Sequence, residues 1–308
     1  MFHLGSRGRG IAAVTMAIGT LLSGCATMPA DKPASEYGAL YDGKAKVLHE
    51  ARGDATSARE AINWGDAAYR MGNVDQALYE YVKALGIDGK NLETLYKVGA
   101  LHAGRGNREL AELAFRMALK LDARHAPSLE GLGLVQLERH LHKEAEESLT
   151  KAVAAEPNRW RAHNGLGLIA DLRKHYPAAG SHYENALKLQ PGSAMLLNNL
   201  GYSKYLAGDW DGAQKLFHQA VQADPQYARA WINLGLVHAR RGEDEASLRS
   251  FRRVMDDPSA YNNIGFVFMM EGKYDQAGRY YEQAISSSPA YHAQAQENLK
   301  RLRVLWNQ

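Results

Sequence analysis

A period of 34 residues runs through this chain and limits what it can fold into. From Gly167 to Gly201, from Ala179 to Ala213 and from Pro191 to Pro225 the shift is 34 residues each time. Early in each unit a small residue recurs, as Gly65, Gly99, Gly133, Gly167, Gly201, Gly235 and Gly265. Glycine inside a helix costs roughly 1 kcal/mol against alanine, so its return at one place indicates a packing demand. Later in the unit come Ala77, Ala111, Ala145, Ala179, Ala213 and Ala277. Four residues beyond each stands a bulky side chain: Tyr81, Phe115, Leu149, Tyr183, Phe217 and Tyr281. Between the two halves Gly72, Gly106, Gly208, Gly242 and Gly272 supply helix-ending turns, and Pro157, Pro191, Pro225 and Pro289 close the units. Two helix-length halves at a fixed period predict stacked helical hairpins that share their core with their neighbours.

The spacing and residue types resemble the tetratricopeptide repeat (TPR). That resemblance implies an all-α, right-handed superhelical solenoid, and an array of this kind is generally a binding surface. Seven repeats are expected at 58–91, 92–125, 126–159, 160–193, 194–227, 228–257 and 258–291, so that the array spans 58–291. The sixth departs from the period: Gly235 to Gly265 is 30 residues, and Ser247 stands where alanine is expected. The shortfall should trim the second helix around Met255 to Pro258. Residues 292–308 are expected to form a capping helix, with Ala295, Leu299, Leu302 and Trp306 on one face and Lys300, Arg301 and Arg303 on the other.

The N-terminus reads as a secretory signal over residues 1–24. Arg7 and Arg9 precede a mostly apolar run from Ile11 to Ser23, too short for an ordinary spanning helix. The run ends in Leu22-Ser23-Gly24-Cys25, which resembles a bacterial lipobox, and Cys25 is the only cysteine. A lone cysteine excludes an internal disulfide framework. The resemblance implies cleavage before Cys25 and several acyl chains there, enough for stable anchoring. Ala26 rather than Asp after the cysteine points to the outer membrane. Residues 25–57 then comprise the lipidated end, a flexible tether over 26–35 and a short helix within 36–52. The net charge of +3 falls by two when Arg7 and Arg9 are removed, to +1. That balance, with no clustered basic face, gives no case for nucleic acid.

No arrangement of residues points to catalysis or to a cofactor. His140, His142 and Glu144 fall in a solvated turn with no fitting third ligand, and His102, His163, His182, His218 and His238 lie on separate helices without ligand spacing. Gly131-x-Gly133 and Gly165-x-Gly167 lie inside helices, away from the strand-to-helix context a dinucleotide loop needs. Carboxylates are expected mainly in turns and on outer faces. The chain is therefore read as a non-enzyme with no metal.

Asparagines carry more information. In TPR arrays the first helices line the concave groove. Asn63, Asn199, Asn233 and Asn263 stand two before the packing glycine, and Asn164, Asn198 and Asn262 three before it. A side-chain amide can donate to a peptide carbonyl and accept from a peptide N–H. Such a ladder suits an extended chain held by its backbone, and it suits equally a set of bonds between neighbouring helices that stiffen the array. Tyr202, Tyr205 and Met269 would add apolar contacts, whereas Phe266 is expected in the core. Lys97 and Gly131 interrupt the ladder, which leaves repeats four to seven as the expected binding segment.

The run Leu197-Asn198-Asn199-Leu200-Gly201-Tyr202, the short sixth repeat and Tyr261-Asn262-Asn263-Ile264-Gly265-Phe266 followed by Gly272-Lys273-Tyr274-Asp275-Gln276-Ala277 are similar to the TadD family. Those are TPR lipoproteins of tight-adherence (Flp) pilus assembly. The resemblance implies a pilotin-like assembly factor in the periplasm-facing leaflet of the outer membrane, with a secretin segment as protein partner. A type IV pilus pilotin, and an NlpI-like adaptor for periplasmic proteases or peptidoglycan enzymes, stay open beside it. Self-association through an exposed groove is a further option.

Overall fold

The computed structural model describes residues 36–41, 55–288 and 292–306. Residues 1–24, Cys25, the tether at 26–35 and most of the segment expected to be helical within 36–52 lie outside them. Fifteen α-helices and no strand occur among the described residues. They form seven hairpins: α1 (Ala58–Arg70) with α2 (Val74–Ile87), α3 (Leu92–Gly104) with α4 (Arg108–Leu121), α5 (Ala126–Glu138) with α6 (His142–Ala155), α7 (Trp160–Leu172) with α8 (Tyr176–Leu189), α9 (Ala194–Leu206) with α10 (Trp210–Ala223), α11 (Ala228–Arg240) with α12 (Asp244–Phe251), and α13 (Asp257–Met270) with α14 (Tyr274–Ser286). A single helix, α15 (Ala293–Trp306), follows. From α3 onward each first helix touches the first helix of the next repeat, and the second helices make no comparable contact with one another. The first helices therefore form the inner, concave wall of the solenoid.

The recurring glycine and the recurring bulky residue are partners. A Cβ placed on Gly99 would lie 2.6 Å from the Phe115 ring, on Gly133 2.6 Å from Leu149, on Gly167 2.7 Å from Tyr183 and on Gly235 2.7 Å from Phe251. The bulky side chain of the second helix thus lies flat on the backbone of the first. Gly131 adds a repeat-to-repeat version of this contact, since its Cβ would meet Phe115 of the preceding repeat at 2.4 Å. In the sixth repeat Ser247 is fully buried and donates its hydroxyl proton to the Gly235 carbonyl at 2.8 Å, which satisfies the polar atom that replaces alanine.

Each hairpin turn closes the same way. A residue in the left-handed region is followed by an N–H that donates to a carbonyl five residues back, as in Asn107 to His102 and Asp209 to Lys204, both at 2.9 Å. Glycine fills the left-handed position in five turns, but His140 (φ 60°) and Lys174 (φ 61°) fill it in the third and fourth repeats. A side chain there is strained by contact between Cβ and the carbonyl. Replacing His140 or Lys174 with glycine is expected to raise stability by about 0.5–1 kcal/mol each, read as an upward shift in urea midpoint with an unchanged slope.

The short repeat loses its residues from the end of the second helix. α12 stops at Phe251 after 8 residues, where the other second helices run 13 or 14. Arg252 binds Asp257 through two hydrogen bonds of 2.7 and 2.8 Å, and Asp256 caps α13 by accepting from the Ser259 N–H at 3.0 Å. Pro258 lies in the first turn of α13, where a missing N–H is harmless.

Both ends of the array are closed by segments outside the hairpins. At the N-terminal side a 3₁₀ helix at Glu36–Leu40 lies against α2 and α4. Leu40 and Tyr41 are buried with Leu78, Val82 and Val98. Tyr37 donates to the Gly89 carbonyl at 2.8 Å, and the His102 Nε2 meets the Leu40 carbonyl at 2.7 Å. A Cβ on Gly89 would sit 2.3 Å from the Tyr37 hydroxyl, so a side chain there would displace the Tyr37 ring. At the other end α15 buries Ala295, Asn298 and Leu302. Trp306, expected on that face, is instead 49 % exposed; it stands in the last turn, after the residues that reach α13 and α14.

Candidate peptide-binding groove

The inner wall is built from one register of the first helices. Counting from the packing glycine, residues one and five positions beyond it share a face, as helical spacing requires. In repeats four, five and seven these are Leu168 and Leu172, Tyr202 and Leu206, Phe266 and Met270. All six are exposed, between 38 % and 62 %. They form an apolar stripe along the groove, the kind of exposed patch that marks a contact surface. Phe266 was expected in the core and lies in this stripe, because the position after the glycine points away from the second helix.

The expected apolar contacts divide. Tyr202 is on the groove, stacked on Tyr205 with ring centroids 6.0 Å apart. Tyr205 is half-buried among Phe217 and Leu234, and its hydroxyl accepts from Arg240 Nε at 3.0 Å. Met269 is likewise half-buried beside Tyr281, whose hydroxyl lies 3.6 Å from its sulfur. One step further around the helix than Tyr202 and Phe266, these side chains turn toward the core.

The asparagines bond one another across repeats. Asn199 donates to Asn164 at 2.8 Å, Asn233 to Asn198 at 2.8 Å, and Asn298 to Asn262 at 2.9 Å. The ladder therefore ties α7 to α9, α9 to α11, and α13 to α15. It is interrupted at the short sixth repeat, where Asn263 approaches the Met255 sulfur at 3.2 Å. Asn198 and Asn262, only 4 % and 2 % exposed, belong to the packing between helices and not to the groove surface. Asn164, Asn199, Asn233 and Asn263 are half-buried at its edge. Each ladder bond uses one donor of one amide and one acceptor site of the next, so the bond itself leaves three donors and three acceptor sites per pair. Asn63 is exposed and stands apart from the ladder.

Arg240 organises the middle of the groove. Its guanidinium lies over the rings of Tyr205 (5.5 Å) and Trp210 (5.8 Å) and 3.5 Å from the Glu271 carboxylate. Carboxylates are expected mainly in turns and on outer faces, but two of them are buried between repeats. Asp171 accepts from the Ser203 hydroxyl at 2.6 Å and from the Tyr183 hydroxyl at 3.0 Å. Burial pushes its pKa above the usual carboxylate range, and those two bonds only partly offset the effect. Glu130, at the ladder position of the third repeat, accepts from the Ala162 N–H at 3.3 Å, with Arg159 at 3.8 Å. Its pKa is also raised by burial, against the pull of Arg159 and Arg161. The signal for both was their place in the register, facing the next first helix.

Of the histidines, His102, His163 and His238 are buried, and His163 lies 3.4 Å from His182, whose pKa is lowered by burial and then by that neighbour. Among the described residues no group of three or more His, Cys, Asp or Glu side chains is placed to hold a metal ion. None of the described helices is long and apolar enough to cross a membrane.

Comparison with known proteins agrees with this architecture. A family profile described as tetratricopeptide repeat matches residues 130–194 and 198–263, and a second of the same description matches 258–291. No curated protein sequence matches the chain. Among solved structures, a tetratricopeptide repeat protein from Parabacteroides merdae superposes with a TM-score of 0.58 at 15 % identity, covering 81 % of this chain and 100 % of that one. The pilF protein of Pseudomonas aeruginosa gives 0.55 at 22 % identity, covering 79 % and 97 %. MamA from Desulfovibrio magneticus gives 0.51 at 24 % identity, covering 56 % and 98 %. At these identities the likeness is one of fold. TPR proteins bind protein partners and are generally non-catalytic scaffolds. With seven glycine-packed hairpins, a shared core and the family match, this chain is a member of the tetratricopeptide repeat family.

Proposed function

We propose that the protein is a lipid-anchored TPR scaffold of the outer membrane that holds a segment of a secretin in its concave groove and so assists assembly of a Tad/Flp-type pilus system. The observation that carries the binding half is the exposed apolar stripe of Leu168, Leu172, Tyr202, Leu206, Phe266 and Met270 beside half-buried amides. Apolar anchors flanked by groups that pair with a peptide backbone suit a chain laid along the groove. The anchoring half rests on Leu22-Ser23-Gly24-Cys25, which lies outside the described residues. Lipid gives the scaffold its place, and the groove gives it cargo.

Crosslinked capture of the anchored protein from its native host, with mass spectrometry of the partners, tests the reading. A secretin among the leading partners is expected. Periplasmic proteases or peptidoglycan hydrolases without a secretin would replace it with an envelope adaptor, and the secretin and pilins of a type IV system would replace it with a type IV pilotin. In parallel, Cys25→Ser is expected to leave a folded protein that no longer fractionates with the outer membrane. Unchanged fractionation would remove the lipid anchor from the argument.

A further inference from the structure

The inner face changes character between its two halves. In repeats one to three the register positions that line it carry both signs of charge, Asp66, Glu93 and Glu138 with Arg59 and Arg70. In repeats four to seven the same positions carry no carboxylate; the apolar stripe runs there, and the charged residues are Arg161, Arg229 and Arg240. Arg161 and Arg229 occupy one register position, six before the packing glycine, which Arg59 holds in the first repeat, and both are exposed. Arg161 is stacked on the Trp160 ring at 4.6 Å, on the side of Glu130 and Glu156. Arg240 stands between the two apolar blocks, held by Tyr205, Trp210 and Glu271.

We infer that the C-terminal half of the groove takes an acidic, apolar peptide segment in extended form, with carboxylates placed to meet Arg161 and Arg229 and apolar side chains between them. The inference rests on the groove reading above and adds the chemistry of the ligand. Charge complementarity selects it: a basic segment would meet two exposed guanidiniums with no carboxylate at those positions, and a neutral one would leave both unused. Arginine suits the task because its planar fork binds a carboxylate through two parallel bonds. The spacing follows from the packing of the first helices. Neighbouring helices lie about 8–10 Å apart, so two repeats separate the arginines by roughly 16–20 Å along the groove. An extended chain covers that distance in about five or six residues. The half-buried Asn164–Asn199 pair lies at the groove edge between them and keeps donors and acceptor sites beyond its own bond, suited to one peptide unit.

A random dodecapeptide phage library selected against the full-length protein in detergent micelles tests this directly, followed by anisotropy titration of the enriched peptides. The variants are Arg161→Gln with Arg229→Gln, and Leu168→Asp with Phe266→Asp; all four positions are exposed, and each melting curve is checked against the parent. Expected are peptides enriched in Asp or Glu about five or six residues apart around aromatic or aliphatic residues. Their affinity should fall about 5-fold in the glutamine variant, weaken with added salt, and be lost in the aspartate variant. Apolar peptides without acidic enrichment, bound equally by parent and glutamine variant, would overturn the ligand chemistry and leave the groove standing. Failure to select any peptide, or binding that survives the aspartate variant, would overturn the groove reading itself.

Discussion

Replacing Phe115 with alanine is expected to destabilise the array by about 3–5 kcal/mol and to split its unfolding into more than one transition. Phe115 is 1 % exposed. Its ring lies against the backbone of Gly99 within its own repeat and of Gly131 in the next, and 6.1 Å from the Tyr96 ring. One side chain therefore fills both an intra-repeat and an inter-repeat contact. Two glycine backbones cannot close on the space it leaves without moving two helices, so the cavity should persist. A solenoid is held by the sum of repeat stabilities and interfaces between neighbours. Weakening the interface between the second and third repeats should let the first two melt ahead of the rest. Urea unfolding followed by circular dichroism should show a lower midpoint and a shallower slope. A single transition with a parental slope and a loss under 1 kcal/mol would mean that Phe115 does not couple the repeats.

Asp171 is expected to have the second largest effect, with a sign that depends on the substitution. In Asp171→Ala the hydroxyls of Tyr183 and Ser203 lose their acceptor in a buried place, at a cost of about 2–4 kcal/mol. Asp171→Asn keeps an acceptor for one hydroxyl and offers a donor to the other, and it removes the buried charge. The folded-state pKa of Asp171 is raised by burial. The fold therefore favours the protonated acid, and this contribution is complete below the ordinary carboxylate pKa of about 3.9. It is lost as pH climbs through the raised value. The asparagine variant should match the parent at acid pH and exceed it increasingly above that window, levelling off once Asp171 is ionised. Stability curves of parent and variant that stay parallel from acid to neutral pH would show that the carboxylate is not paying a burial cost. Tyr183 should respond too, since its hydroxyl is held protonated by burial and by the Asp171 charge.

Much of the architecture was legible because it repeats. A glycine returning every 34 residues, with alanine and a bulky residue following at fixed distances, describes one supersecondary unit seven times over. The short sixth repeat was visible as a deficit of four residues between Gly235 and Gly265. That the loss falls on the last turns of α12, beginning at Arg252, follows from the Arg252–Asp257 pairing and the Asp256 cap. His140 and Lys174 in left-handed turns could have been found by carrying the glycine position through every repeat.

The groove was legible only in outline. Choosing between a peptide ladder and a helix-to-helix ladder depended on how far apart neighbouring first helices lie. The bonds from Asn199 to Asn164 and from Asn233 to Asn198 show the amides engaging one another, each bond using one donor and one acceptor site of the pair. Tyr202 and Tyr205, three residues apart, part company because one step of helix rotation separates solvent from core. Phe266 moved from expected core to exposed stripe for the same reason. Asp171 and Glu130 resemble surface carboxylates in sequence, and only the helix stacked against each removes it from water.

Periodicity by itself determined the family, the hairpins and the place of the packing glycine, because these are local or nearest-neighbour properties written once per repeat. Tertiary structure decided which side of each first helix faces the groove, which amides are spent on neighbours, and which carboxylates are buried. Those properties depend on the distance and rotation between helices some 35 residues apart, and the physical reason is that burial and hydrogen bonding are set by what lies opposite a side chain, not by what precedes it.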